Sequence, residues 1–272
     1  LAQEIALKRY AEDADVLVMG PDCGTAVVAG VGLGFANVVR PGPVGIVAAS
    51  GTGAQHLMTL LDHAGVGVSH CLGVGGRDLS ADVGGVSTIR ALDLLADDDA
   101  TDLVVVVSKP PDAEVADRLE RRAQELGKPV LFALLGPGRP DLTAVAERVV
   151  TSAGGTWQKP SSTRGSVEAG RPGGYLRGLF AGGTMCYEAM LLAAEQVGPI
   201  ASNTPLAGGR SLDEQLRSDG HTMIDFGDDR LTRGRPHPMI DGSIRVDRLR
   251  AEVEDATTGV VLLDVVLGLG AS

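Results

Sequence analysis

Apolar and polar positions alternate in blocks along most of this chain. VGIVAA (44–49) is a short continuous apolar run, and over 53–64 the apolar positions recur at helical spacing. The pair of patterns then repeats. VSHCLGVG (68–75), DLVVVVS (102–108) and PVLFALLG (129–136) read as strands, and 85–96, 112–126 and 141–148 as helices. Strands and helices alternating at these lengths predict a parallel sheet covered on both faces. Upstream, 2–12 reads as a helix, DVLVMG (15–20) as a strand and PDCGT (21–25) as a turn. RPGP (40–43) separates this short unit from the first apolar run at 44.

Residues 152–174 are rich in Gly, Ser and Pro and read as a linker. After it the pattern restarts with LRGLFAGGTMCYEAMLLAAEQ (176–196), a strand, a turn and a helix. The second half echoes the first. Gly51-Thr52 corresponds to Gly183-Thr184, and His70 in HCLGVGGRDL to His221 in HTMIDFGDDRL. VSTIRALDLLADDDATDLVVVV corresponds to DGSIRVDRLRAEVEDATTGVVLLDVV. The spacing between copies grows along the chain, so the second copy carries inserted loop residues. The expected fold is α/β, with two tandem flavodoxin-like parallel-sheet domains at 42–150 and 175–272, joined by a linker at 151–174. Residues 1–41 read as the tail of another domain.

Composition narrows the function classes. Of 272 residues, 44% are hydrophobic but only 3% aromatic, so the core is built from aliphatic side chains. A net charge of −11 without a basic cluster argues against nucleic acid as a partner. Any anionic ligand must then be held by local groups. Cys23, Cys71 and Cys186 form neither a disulfide framework nor a metal motif, so a reducing, cytoplasmic setting and buried thiols are expected. The longest apolar runs are too short to span a bilayer, which argues against a membrane partner. The chain opens at Leu1 rather than Met, consistent with a fragment.

The chemistry concentrates at two strand-to-helix turns, Ser50-Gly51-Thr52 and Gly182-Gly183-Thr184. The first N–H groups of a helix lack intrahelical acceptors, and that end carries roughly +0.5 charge. Glycine admits close approach and the hydroxyls add donors, so such a turn binds anions without a lysine. One hydroxyl at a helix start is usually a cap; two copies in a tandem repeat point to a phosphate site that both helix ends share. Neither a Walker A pattern nor GxGxxG is present, which argues against an ATP loop and a dinucleotide site.

These motifs carry a resemblance. MGPDC, GPVGIVAASGT and GGRDL resemble the α subunit of succinyl-CoA synthetase, and GLFAGGTMCYEA through ATTGVVLLDVVLG resembles the carboxy-terminal domain of its β subunit. The fused order, with SKPP and RPHPMID, resembles the FdrA family. The resemblance covers essentially the whole chain. It implies that residues 1–41 are the remnant of a Rossmann-like CoA-binding-type domain. It also implies that the two turns are the pair of helix ends that in the ligases face the phosphate on an active-site histidine. The chain departs from the ligases where that histidine stands, since the loop reads LLGPGRPDLT. Lys109, in VVSKPP, stands about where the ligases have a carboxylate. No nucleotide-grasping domain is recognisable.

The FdrA resemblance implies a subunit of an oxamate carbamoyltransferase, acting in purine or allantoin breakdown with other subunits and binding the phosphate of carbamoyl phosphate. Lys109 or Arg77 would neutralise phosphate or polarise the carbonyl, and His237, held between two prolines, would move a proton. Gly76, Asp78 and Asp241 are the further substrate-binding candidates. Asp225, Asp228 and Asp229 read as a solvated acidic loop and His56, His63 and His70 as surface or packing residues, so no metal site is expected. Two alternatives stand beside this reading. One is an acyl-CoA ligase using an acyl phosphate and CoA without a phosphohistidine. The other is a non-catalytic scaffold subunit.

Overall fold

The computed structural model describes residues 1–22, 24–163, 165 and 173–267. Within them the chain divides into two units, Leu1–Ser161 and Ser162–Ser272. The division falls inside the Gly/Ser/Pro-rich stretch at 151–174.

The first unit runs α1 (Ala2–Asp13), β1 (Thr25–Val28), β2 (Val31–Gly34), β3 (Val44–Ala48), α2 (Gly51–His63), β4 (Val68–Gly73), α3 (Val86–Asp97), β5 (Leu103–Ser108), α4 (Ala113–Glu125), β6 (Val130–Leu134) and α5 (Leu142–Ser152). Its sheet has the order β2-β1-β4-β3-β5-β6. Strands β3 to β6 pair in parallel, and β1 runs antiparallel to both β2 and β4. Every residue of β3 and β5 is buried, as continuous apolar strands covered on both faces should be. Side-chain caps start three of the helices: Ser50 for α2, Asp112 for α4 and Asp141 for α5.

Two features differ from the sequence reading. DVLVMG (15–20) is not a strand, although Gly20 N donates to Gly73 O at 3.1 Å. The outer edge of β4 is taken instead by β1, through Val27 opposite Cys71. The β1–β2 hairpin closes on Ala29 and Gly30, both with positive φ (48° and 78°), a two-residue turn matched to strand twist. Residues 1–41 thus supply a helix and two strands to the first unit, with α1 packed on α3.

The second unit runs β7 (Tyr175–Phe180), α6 (Gly183–Val197), β8 (Ala201–Ser202), β9 (Arg210–Ser211), β10 (Thr222–Asp225), α7 (Asp229–Thr232), α8 (Ser243–Glu254) and β11 (Thr258–Leu263). All pairings are parallel, in the order β11-β7-β10-β8-β9. The triplet β10-β7-β11 reproduces β4-β3-β5: the first strand is central, the next lies on one side and the third on the other. The inserted residues of the second copy form β8, β9 and their loops. Both units are therefore parallel-sheet α/β folds.

Candidate functional site

In an open parallel sheet, ligands collect where the chain leaves a central strand toward opposite sides. In the first unit that point lies between the carboxyl ends of β3 and β5. Ser50 adopts an extended backbone there and its Oγ accepts from Gly53 N at 3.0 Å, capping α2. Gly51 and Thr52 then present the first helical N–H groups. Continuing the register of Ala48 opposite Val107 by two residues brings Lys109 level with Ser50. Lys109 is half-buried, and its ammonium makes no hydrogen bond or ion pair among the described residues. The helix end with its threonine hydroxyl and the residue that carries this ammonium thus leave neighbouring strands at the same level.

The loop after β6 carries no histidine, yet one lies near it. His56 shares a face of α2 with Thr52, one turn on, and feels the carboxylate of Asp141. Burial pushes its imidazole below the ordinary value of 6.5, and Asp141 opposes that shift. The unfolded chain therefore protonates at higher pH than the folded one. Its stabilising share is whole above 6.5 and is lost as pH falls below that value. His56→Gln should flatten this acid loss of Tm; an unchanged pH slope would count against it. The i+4 spacing from Thr52 was the available sequence signal for His56.

The GGRD loop is tied into the fold by its neighbours. A Cβ on Gly75 would stand 2.4 Å from Pro21 O, so the loop lies hard against Gly20-Pro21. Gly76 stays exposed. Arg77 Nε donates to Glu4 Oε2 at 2.8 Å, which occupies the charge proposed for phosphate. Asp78 is fully buried and does not face the crevice. It accepts from Lys8 Nζ at 2.6 Å, Thr88 N at 2.9 Å, Thr88 Oγ1 at 2.6 Å and Ser87 N at 3.3 Å, capping α3 from a distance. This corrects the expectation that Asp78 binds substrate. Lys8, its counter-ion, was not among the sequence candidates.

In the second unit the corresponding point lies between β7 and β11. Here Asp264, just past β11, accepts from Ala181 N at 2.8 and 3.0 Å and from Gly182 N at 3.0 Å. Arg245 of α8 pairs with the same carboxylate at 2.8 Å. Thr184 is buried, and a Cβ on Gly183 would stand 2.4 Å from Asp225 Oδ2. Asp225 is itself buried, with Oδ1 accepting from Gly227 N at 2.9 Å, so it is not part of a solvated loop. His237 is half-buried beside that turn, its Nδ1 accepting from Met239 N at 3.2 Å. A Cβ on Gly227 would come 2.9 Å from its Nε2. His237, Asp225 and Gly183 are thus brought together at one end of this sheet.

Asp241 is exposed, and its Oδ1 accepts from Ser243 N at 3.0 Å, which holds the start of α8 and lowers its pKa. The bond steadies the turn into α8, whose cap residue is Gly242. Asp228 caps α7 through Arg230 N at 2.8 Å. His70 and His221 each accept a backbone N–H, from Ala29 and Leu176. Cys71 and Cys186 are buried free thiols, and Cys23 lies outside the described residues. Among the described residues no three His, Cys, Asp or Glu side chains gather as a metal group, and no helix is long and apolar enough to cross a membrane.

Comparison with known proteins adds to this geometry. Residues 179–272 match the CoA-ligase family. An uncharacterized protein of Escherichia coli K12, YahF, is 39% identical over 98% of this chain and 56% of its own length. The α subunit of an ADP-forming succinate–CoA ligase from Methanothermobacter thermautotrophicus is 30% identical over 60% of this chain and 55% of its own. The α subunit of malate–CoA ligase from Methylorubrum extorquens is 27% identical over 49% of this chain and 45% of its own. The chain spans about half the length of the curated relatives it matches. The likeness reaches CoA ligases in general and does not single out FdrA or a carbamoyltransferase. By these matches residues 179–272 are similar to the CoA-ligase family, and the chain is similar to proteins of the succinyl-CoA synthetase kind.

Proposed function

We propose that the chain is part of an acyl-CoA ligase-type enzyme and holds the phosphoryl group of an acyl phosphate whose acyl group passes to CoA. The observation that supports it is that the α2 amino end and Lys109, whose ammonium has no partner among the described residues, leave neighbouring strands level at the switch point of the first sheet. The relatives named as ligases act on succinate or malate with CoA. Carbamoyl phosphate, the narrower reading, has no such support and gives way to the acyl phosphate.

In this chemistry the thiol sulfur bonds to the acyl carbon, the bond from that carbon to the phosphate oxygen breaks, and the thiol proton ends on the departing phosphate. Charge builds on the phosphate as it leaves. The α2 N–H groups and Lys109 are placed to stabilise that charge. Further chains complete the enzyme, as in the relatives named as subunits.

Calorimetric titration with inorganic phosphate, acetyl phosphate and carbamoyl phosphate tests this. Acetyl phosphate and phosphate are expected to bind, and Lys109→Ala to weaken both by roughly 10- to 150-fold, the loss of one charge-assisted hydrogen bond. Equal binding by Lys109→Ala would remove Lys109 from the site. No binding by the wild-type chain would favour the scaffold role.

A further inference from the structure

A pocket of about 320 Å³ opens in the first unit, lined from α1, α3 and α4. Helix α3 packs against both of the others. Ala11, Val16, Val86 and Ile89 give the pocket an apolar wall. Its charged lining is Lys8, Glu12, Asp15, Arg90, Asp93 and Arg118. Apolar walls with a few placed polar groups are the usual make-up of a small-ligand site.

Four of these charges are spent within the fold. Lys8 Nζ meets Asp78 at 2.6 Å, Arg90 pairs with Asp15 at 3.0 Å, and Asp93 pairs with Arg122 at 2.8 Å. Glu12 and Arg118 remain. Both are exposed, and neither makes an ion pair or hydrogen bond among the described residues, with each other or with a third group. One free carboxylate on α1 and one free guanidinium on α4 thus border the same pocket. A simple anion or a simple cation answers only one of them, whereas a zwitterion answers both.

The spacing chooses among zwitterions. A Cβ on Gly84, in the turn before α3, would stand 3.0 Å from Arg118 Nη2, so the guanidinium lies over the amino end of that helix. The partial positive charge of the helix end strengthens its pull on an anion. Glu12 reaches the pocket from the end of α1, where Asp15 meets Arg90. Gly84 and Arg90 are about 9 Å apart along the chain at 1.5 Å per helical residue. The two charges of the ligand are therefore separated by an aliphatic spacer and do not sit on one carbon.

We propose that this pocket binds an aliphatic ω-amino acid, its carboxylate on Arg118, its ammonium on Glu12 and its methylene chain along the apolar wall. The site lies apart from the strand-end turns and does not depend on the ligase reading.

Calorimetric titration with 5-aminovalerate, valerate, pentylamine and alanine decides the matter. Wild-type protein is expected to bind 5-aminovalerate at least tenfold more tightly than each of the other three. Glu12→Gln should reduce its affinity to that of valerate, and Arg118→Gln to that of pentylamine. Both substitutions change exposed side chains, so the fold should survive them. Equal binding of valerate or pentylamine to the wild type overturns the proposal, and equal binding of alanine overturns the spacing on which it stands. Unchanged 5-aminovalerate binding by either variant, or no binding by the wild type, overturns it as well.

Discussion

Replacing Asp78 by asparagine is expected to cost the first unit about 3–5 kcal/mol, the usual loss when one partner of a buried ion pair is removed. The carboxylate is fully buried and accepts four hydrogen bonds, from Lys8 Nζ, Ser87 N, Thr88 N and Thr88 Oγ1. Asparagine keeps the shape but turns an NH2 toward donors, and it strips Lys8 of its nearest counter-charge. Lys8 is 1% exposed, and its other carboxylate, Glu4, is 3.5 Å away and also engaged by Arg77. The ammonium is almost wholly shut off from water in the folded unit. Urea unfolding followed by circular dichroism measures the loss. The double variant Lys8→Met/Asp78→Asn should be less destabilised than the sum of its single changes, because the uncompensated charge is gone. A single-variant loss under about 1 kcal/mol, no more than an exposed ion pair is worth, would contradict the assignment.

The second large effect separates two glycines that the repeat makes equivalent. Gly183→Ala puts a Cβ 2.4 Å from Asp225 Oδ2 and 3.2 Å from its Cγ, and that carboxylate is buried and tied to Gly227 N. Overpacking of this kind costs about 1–3 kcal/mol. It should also disturb the turn entering α6. Gly51→Ala meets only Thr25 Oγ1 at 3.5 Å, an ordinary contact, and alanine suits a helix better than glycine. It should be neutral or mildly stabilising. Thermal unfolding of the two variants side by side checks this, and equal losses would mean that Asp225 gives way freely.

The parallel β/α alternation was legible because each strand is a continuous apolar run and each helix keeps its own period. The repeat was legible too, through polar coincidences such as Gly51-Thr52 with Gly183-Thr184. The hairpin at 25–34 was not, since Ala29-Gly30 lacks the Asn or Asp that usually marks such a turn. The groups that tune the sites were hidden for a different reason. Lys8 meets Asp78 across 70 residues and Asp264 meets Ala181 across 83, and no local pattern announces such partners. Arg77 and Asp78 stand out in the sequence by their glycine-flanked loop, but that loop faces α1 and α3 as well as solvent. Only the packing decides which side each residue takes.

The Asp264 carboxylate on the amides of Ala181 and Gly182 changes how the two copies of the turn should be counted. A duplicated fold suggests duplicated occupancy, two anions for two turns. Here one copy is met by a carboxylate of its own chain, and on the proposed reading the other takes an external anion. On that reading a titration should close at a single phosphate per chain.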